Sequence, residues 1–299
     1  MLIALLVPLV IASLVMLATL ARKAIAARAR PTGETVVLGA ITGFFDTLGI
    51  GPFAPTMAWL KFRKLVPDKI MPPTMLVAQT PAALTEGIIF LILLGVLVDP
   101  VLLLGCSLSL LVGGLLGVSL VNKARVWVIQ MIVGIALIVA AIFYFLMNRD
   151  LMPSPGISTS LPLALTILAI AAHFVFGVLL NFGVGNYAPT LAMFSLMGLD
   201  PRYAFPIMAG GAGLCGAVAS TRHIMVSKID VRVAAGIAIG GIPAVLVAAF
   251  LVKEMPIIWL RWLVFVVVLY AAAVMLKSAW DGRRGEADLP IDVMEPERG

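Results

Sequence analysis

The sequence predicts an all-α polytopic membrane protein built of two inverted repeats, each a broken re-entrant hairpin followed by three transmembrane helices, with an extra N-terminal helix. Three observations carry this reading. First, 62% of the 299 residues are hydrophobic and only 12% charged, and the mean hydropathy is +1.13; soluble globular domains do not have this composition. Second, GFFDTLGIGPFAPTM (43–57) and GVLLNFGVGNYAPTL (177–191) share one glycine-proline frame at a constant offset of 134. Third, Lys and Arg divide 17 to 4 between the two membrane faces if each glycine-proline segment turns back, and only 12 to 9 if each crosses. The turned-back arrangement obeys the positive-inside rule.

Residues 1–30 read as an N-terminal transmembrane helix and a basic cytoplasmic loop. The run MLIALLVPLVIASLVMLATL has about the 20 residues a span requires. Its charges, Arg22, Lys23, Arg28 and Arg30, follow the apolar run, the reverse of a cleaved leader. The N-terminus is therefore expected outside.

The first repeat covers 34–148, with apolar runs at about 71–98, 100–121 and 126–147 behind its broken segment. The proline- and serine-rich stretch at 149–160 is expected to be an extracellular linker. The second repeat covers 161–279, with runs at about 203–222, 231–252 and 257–276; Asp99 and Gly105 align with Asp230 and Gly236 at an offset of 131. Three crossings per half turn the second repeat upside down relative to the first. Residues 280–299 are polar and charged without apolar periodicity, which predicts a disordered cytoplasmic tail. The expected location is a bacterial-type inner membrane, and the expected partners are the lipid bilayer and a small anionic substrate. The net charge of +6 is explained by cytoplasmic loops, so no nucleic-acid partner is expected.

Helix breakers at membrane depth need a reason, because each unsatisfied backbone group in hydrocarbon costs several kcal/mol. Such segments belong inside the protein or beside a watery cavity. Gly49, Gly51, Gly183 and Gly185 allow tight approach or positive φ, while Pro55 and Pro189 fit the first turn of a new half-helix, where no donor is needed. The free N–H groups and positive dipole end of that turn suit an anion. Thr47, Thr56, Asn181, Asn186, Tyr187 and Thr190 are the side chains that can add donors. Two such sites from inverted halves, meeting near the midplane, are the geometry expected of a small-anion transporter.

The paired G-[IV]-G…P segments, one opening each half of an apolar chain of 299 residues, resemble the TauE/SafE family of sulfite and organosulfonate exporters. Pro52 and Asn186 stand where that family commonly has another glycine. The resemblance implies a secondary carrier of a small sulfur-containing anion such as sulfite or sulfoacetate, usually directed outward.

Asp46 and Glu86 are the acids expected at membrane depth, where ionisable residues are rare and costly. Glu86 admits two readings: a proton carrier, or a carboxyl bonded to its surroundings through Gln79 or Thr85. Asp46 can couple protons, cap the broken helix or hold a donor in place. His173 is either a satisfied core residue or a third coupling candidate. His223 and Arg222 are expected at the cytoplasmic interface. Cys106 and Cys215 lack metal or disulfide spacing and read as core residues, and Gly113 and Gly117 as a helix-packing pair.

No cofactor and no metal is expected, and no enzymatic constellation is present: the sequence holds no H-x-x-x-H or C-x-x-C spacing, P-loop or G-x-S-x-G elbow. Two other functions compete with anion transport. One is a cation carrier that uses the intramembrane carboxylates. The other is a non-transporting membrane scaffold, for which duplicated breaks at depth would have no purpose.

Overall fold

The computed structural model describes residues 2–47, 52–94, 98–149, 151, 158–251 and 257–287. Among these the chain forms eleven α-helices and no β-strand. They run α1 (Leu2–Ala26), α2 (Gly33–Thr47), α3 (Phe53–Phe62), α4 (Met71–Leu94), α5 (Pro100–Lys123), α6 (Val126–Asn148), α7 (Leu163–Leu180), α8 (Tyr187–Leu196), α9 (Pro201–Val226), α10 (Val231–Leu251) and α11 (Ile257–Ala287). Helices α1, α5, α6, α7 and α10 each contain a segment long and apolar enough to cross a bilayer. The protein is an all-α, multi-pass membrane protein.

Local chemistry sets several helix starts. Asp99 caps α5 by accepting hydrogen bonds from the Val101 and Leu102 N–H groups at 2.8 and 3.0 Å. Asp230, its sequence counterpart, accepts from the Val233 N–H at 3.0 Å ahead of α10. The aligned aspartates thus share one role, anchoring the starts of corresponding helices.

Helices α4 and α9 are long enough to span but carry polar residues that lipid would not tolerate, and they pack against each other. All residues from Met71 to Ala82 are buried. The Thr80 and Ser220 hydroxyls bond across this pair at 2.8 Å. Around the central pair, α2 packs along α10 and α7 along α5, so the first leg of each broken segment lies against a helix of the other half. These contacts are close because glycines line them. A side chain at Gly177 would overlap the Leu110 carbonyl, and one at Gly113 the Phe174 carbonyl. Gly39 and Gly240 do the same for α2 and α10, against the carbonyls of Ile237 and Val36.

Both broken pairs return to the end of the molecule from which they start. The Arg63 guanidinium, at the end of α3, meets Glu34 in the first turn of α2 at 2.7 Å, and the Trp59 indole N–H donates to the same carboxylate at 3.1 Å. At the opposite end, Ser158 ahead of α7 pairs with the chain after α8: its N–H donates to Gly198 O at 3.0 Å and its carbonyl accepts from Asp200 N–H at 2.9 Å. The basic residues gather at the first of these ends. There Lys23 bonds the Ile224 carbonyl, Lys69 the Ala124 carbonyl, and Arg283 lies 5.7 Å from the centre of the Trp127 ring.

One expectation is corrected at the C-terminus. Residues 278–287 do not leave the fold as a disordered tail; they continue α11. Extending an existing helix needs no new nucleus, so polar residues carry it on at little cost. Arg283 over Trp127 and Arg284 over Trp280 secure this extension. Residues 288–299 lie outside the described residues.

Candidate functional site

The first break separates α2 from α3, and Gly49 and Gly51 lie in the part of it outside the described residues. Its flanks are well defined. Pro52 occupies the N-cap of α3, and Pro55 stands in the first turn, as Pro189 does in α8. Gln79, on α4, ties the two sides together: its amide nitrogen donates to the Thr42 hydroxyl on α2 at 3.0 Å and to the Thr56 hydroxyl on α3 at 2.6 Å. Its carbonyl oxygen is buried without a partner. Thr47 contributes nothing across the break, because its hydroxyl bonds back to the Gly43 carbonyl at 3.1 Å.

Asp46 and Glu86 come together. The two carboxyls, on α2 and α4, lie close enough to interact; both residues are buried, and Glu86 Oε2 has no hydrogen-bond partner. This replaces two expectations. Gln79 donates to threonines rather than to Glu86, and the Thr85 hydroxyl bonds the Pro81 carbonyl at 2.9 Å, so neither holds Glu86. Asp46 lies in the last turn of α2, the negative end of the helix dipole, and therefore does not cap a helix start. The sequence gives no sign of this pairing, because the acids are 40 residues apart on different helices.

The second break is fully described. Helix α7 ends at the cap residue Asn181, the chain turns at Gly183 with φ +85°, and α8 begins after Asn186. A glycine is required at this turn, both for its positive φ and because Met57 and Met75 press against it. Gly185 packs on the ring of Phe53, the first residue of α3. The two breaks therefore meet: the turn of the second rests on the opening turns of the first half-helix.

Polar groups around the second break divide into two kinds. Asn181 is buried with its amide fully engaged, donating to the Gly114 and Gly177 carbonyls at 3.0 Å each and accepting from His223 at 2.7 Å. It is part of the framework and has no donor left for a ligand. Asn186, 3% exposed, and Thr190, fully buried, are different: Asn186 Nδ2 and Thr190 Oγ1 have no partner. Thr190 and Thr56 occupy the same place in the repeated motif, yet only Thr56 is met by an amide. Tyr187 opens α8 as its first residue.

Asn186 and Pro189 line a cavity of about 460 Å³ together with Phe53, Gly183, Val184 and Gly185, and the opposite wall is the apolar face of α6 from Ile132 to Phe143. His173 is buried outside this lining, between the rings of Phe176 and Phe194. Its Nδ1 bonds the Ala169 carbonyl at 2.8 Å, and its Nε2 is without a partner.

His223 departs from expectation. It is fully buried rather than interfacial, bonded to Asn181 through Nε2 and to Ser227 through Nδ1 at 2.7 Å each. Position near a helix end hid this: Met225 and Val226 in the last turn of α9 are exposed, but His223 lies on the covered face of that turn. Arg222 beside it reaches across to α5, donating to the Leu115 carbonyl at 2.8 Å and Ser119 Oγ at 3.1 Å. Cys106 and Cys215 are free, buried core residues, and no cluster of three metal-ligating side chains occurs among the described residues.

Residues 165–295, which include the second break and all of α8 to α11, match the family model described as Sulfite exporter TauE/SafE. This match bears out the resemblance carried by the glycine-proline segments. No curated protein and no solved structure matches the chain.

Proposed function

From the TauE/SafE assignment of the second half, we propose that the protein is a secondary transporter that exports a small sulfur-containing anion, sulfite or an organosulfonate of the sulfoacetate kind, in a proton-coupled cycle. The observation that carries this reading is the pair of unpartnered groups at the start of α8, Asn186 Nδ2 and Thr190 Oγ1. A buried donor left unpaired costs about 1–3 kcal/mol. No group among the described residues answers them, and an oxyanion would. The first N–H groups of α8 have no intrahelical acceptor and point the same way along the helix axis, so the backbone adds donors and a favourable dipole. Substrate would sit against Asn186, Pro189 and the Gly183–Gly185 turn, with Phe53 of the other half closing the site.

The Asp46 and Glu86 carboxyls are the candidate proton carriers. They lie in the first half, next to the first break, so a movement that changes access to that break changes access to them. The exchange of legs between halves, α2 on α10 and α7 on α5, supports reading the molecule as two inverted repeats that can rock against each other. The basic end is then cytoplasmic, with the N-terminus outside.

A cation carrier is the second reading, favoured by one observation: the unpartnered atoms near the first break, Gln79 Oε1 and Glu86 Oε2, are acceptors. Thermal-shift and calorimetric titration of the purified protein with sulfite, sulfoacetate, sodium and potassium separate the two. Anion transport predicts saturable stabilisation by the sulfur oxyanions. Stabilisation by a cation alone would transfer the assignment to the second reading.

A further inference from the structure

Asn186 follows Asn181 by five residues through the Gly183 turn, and Asn181 is held by a buried hydrogen-bond chain. Asn181 Nδ2 faces two carbonyls, Gly114 O on α5 and Gly177 O on its own helix, so its oxygen is the atom turned to His223. An amide oxygen only accepts, which makes His223 Nε2 the protonated nitrogen. His223 Nδ1 is then an acceptor for the Ser227 hydroxyl at 2.7 Å, and Ser227 Oγ in turn accepts from Asn122 Nδ2 at 2.8 Å. With a neutral imidazole this arrangement gives each of these bonds one donor and one acceptor, and it joins α5, α7 and α9. His223 and Asn181 are both 0% exposed, and Gly117 is the residue that makes room for Asn181, since a side chain there would overlap its amide.

Among the described residues the first break is tied differently, by Gln79 to Thr42 and Thr56 within its own half. Asn181 corresponds to Thr47 at the offset of 134, and His223 to an isoleucine at either repeat offset, Ile89 at 134 or Ile92 at 131. Thr47 bonds only its own helix, and isoleucine bonds nothing.

We propose that His223 is a positioning residue for the anion site: through Asn181 it holds the end of α7, and so the Gly183 turn and Asn186 at the start of α8, at a fixed place between α5 and α9. The inference rests on the anion-site reading above. In it the second break, hydrogen-bonded across both halves, is the fixed half of the site, and the first, whose hydrogen-bond tie stays within its own half, is the half that moves.

Hydrogen exchange of residues 181–187 tests the holding, and sulfite and sulfoacetate titration tests its consequence. His223→Leu removes the donor; His223→Gln keeps an N–H near the position of Nε2. The expected result is exchange at 181–187 faster by about tenfold in His223→Leu, with α1 and α10 unchanged, and an anion Kd raised by about tenfold, the loss of one buried hydrogen bond. His223→Gln should restore both. If His223→Leu does not fold, His223→Asn, too short to reach Asn181, takes its place. Wild-type exchange at 181–187 in a folded variant lacking the donor overturns the proposal, as does failure of His223→Gln to restore what the other variant loses. A wild-type protein that binds neither anion would defeat the proposed function instead, and the exchange comparison would still decide whether His223 holds the turn.

Discussion

Asn186 carries a buried amide whose nitrogen the protein leaves unpaired, and a side chain kept in that condition has a predictable response to removal. Asn186→Leu deletes an unsatisfied donor but also an N-cap residue, a preference worth about 1 kcal/mol. These effects oppose each other, so the melting temperature in detergent should change little while calorimetry shows sulfite affinity reduced by about tenfold or more. A large fall in stability with unchanged affinity would make Asn186 a framework residue like Asn181. Gln79→Leu should do the opposite. It breaks the bonds to Thr42 and Thr56, leaves two buried hydroxyls short of a donor, and lowers stability by about 1–3 kcal/mol in denaturation experiments.

The residue scale also shows why the site was only partly legible in the sequence. Gly183, Pro189 and Asn186 stand in a motif whose chemistry follows from residue type. Asn181 is in the same motif and was expected to face the ligand, yet it faces His223; no spacing rule connects residues 42 apart on helices whose contact is set by tertiary packing. Asp46 and Glu86 were each legible as intramembrane acids, but their pairing depends on the relative depth of α2 and α4.

At the scale of elements, the breaks and the capped starts follow from local chemistry: glycines and prolines stop and restart the chain, and Asp99 and Asp230 begin corresponding helices. What local chemistry does not contain is which helix lies against which. Packing of α7 on α5, across the halves, depends on Gly113 lying against the Phe174 backbone and Gly177 against that of Leu110. Gly177→Leu should therefore force these helices apart, costing about 1–3 kcal/mol or more by overpacking. The measurement is the loss of folded protein on heating in detergent; Ala164→Leu, on the exposed face of the same helix, serves as the control and should behave as wild type. The end of α11 was misread for the converse reason. Its composition is that of a tail, but a helix already formed continues through Trp280, Arg283 and Arg284 where those side chains find one another and Trp127.

For the whole molecule, the contacts that close each hairpin, Arg63 with Glu34 at one end and Ser158 with Gly198 at the other, make a topological prediction. Cysteines introduced at Lys64 and at Ser160, both exposed, should react with an impermeant maleimide from opposite sides of the membrane, Lys64→Cys from the side of the basic end, which the positive-inside rule predicts to be cytoplasmic. Labelling of both from one side would contradict two oppositely placed hairpins. The offset of 134 and the charge distribution predict this arrangement from the sequence. The exchange of legs was not readable, because a repeat says that two halves are alike without saying how they interlock.

The central claim is that this arrangement moves a sulfur oxyanion and that the buried acids couple the movement to protons. Flux of labelled sulfite and sulfoacetate in proteoliposomes, with and without an imposed proton gradient, tests it directly when wild type is compared with Glu86→Gln. The account predicts saturable flux of at least one of the two anions, accelerated by the gradient in wild type and insensitive to it or abolished in Glu86→Gln. Absence of flux for both anions in folded, reconstituted protein would contradict the substrate class, and equal acceleration of wild type and Glu86→Gln by the gradient would contradict the role of the Asp46–Glu86 pair.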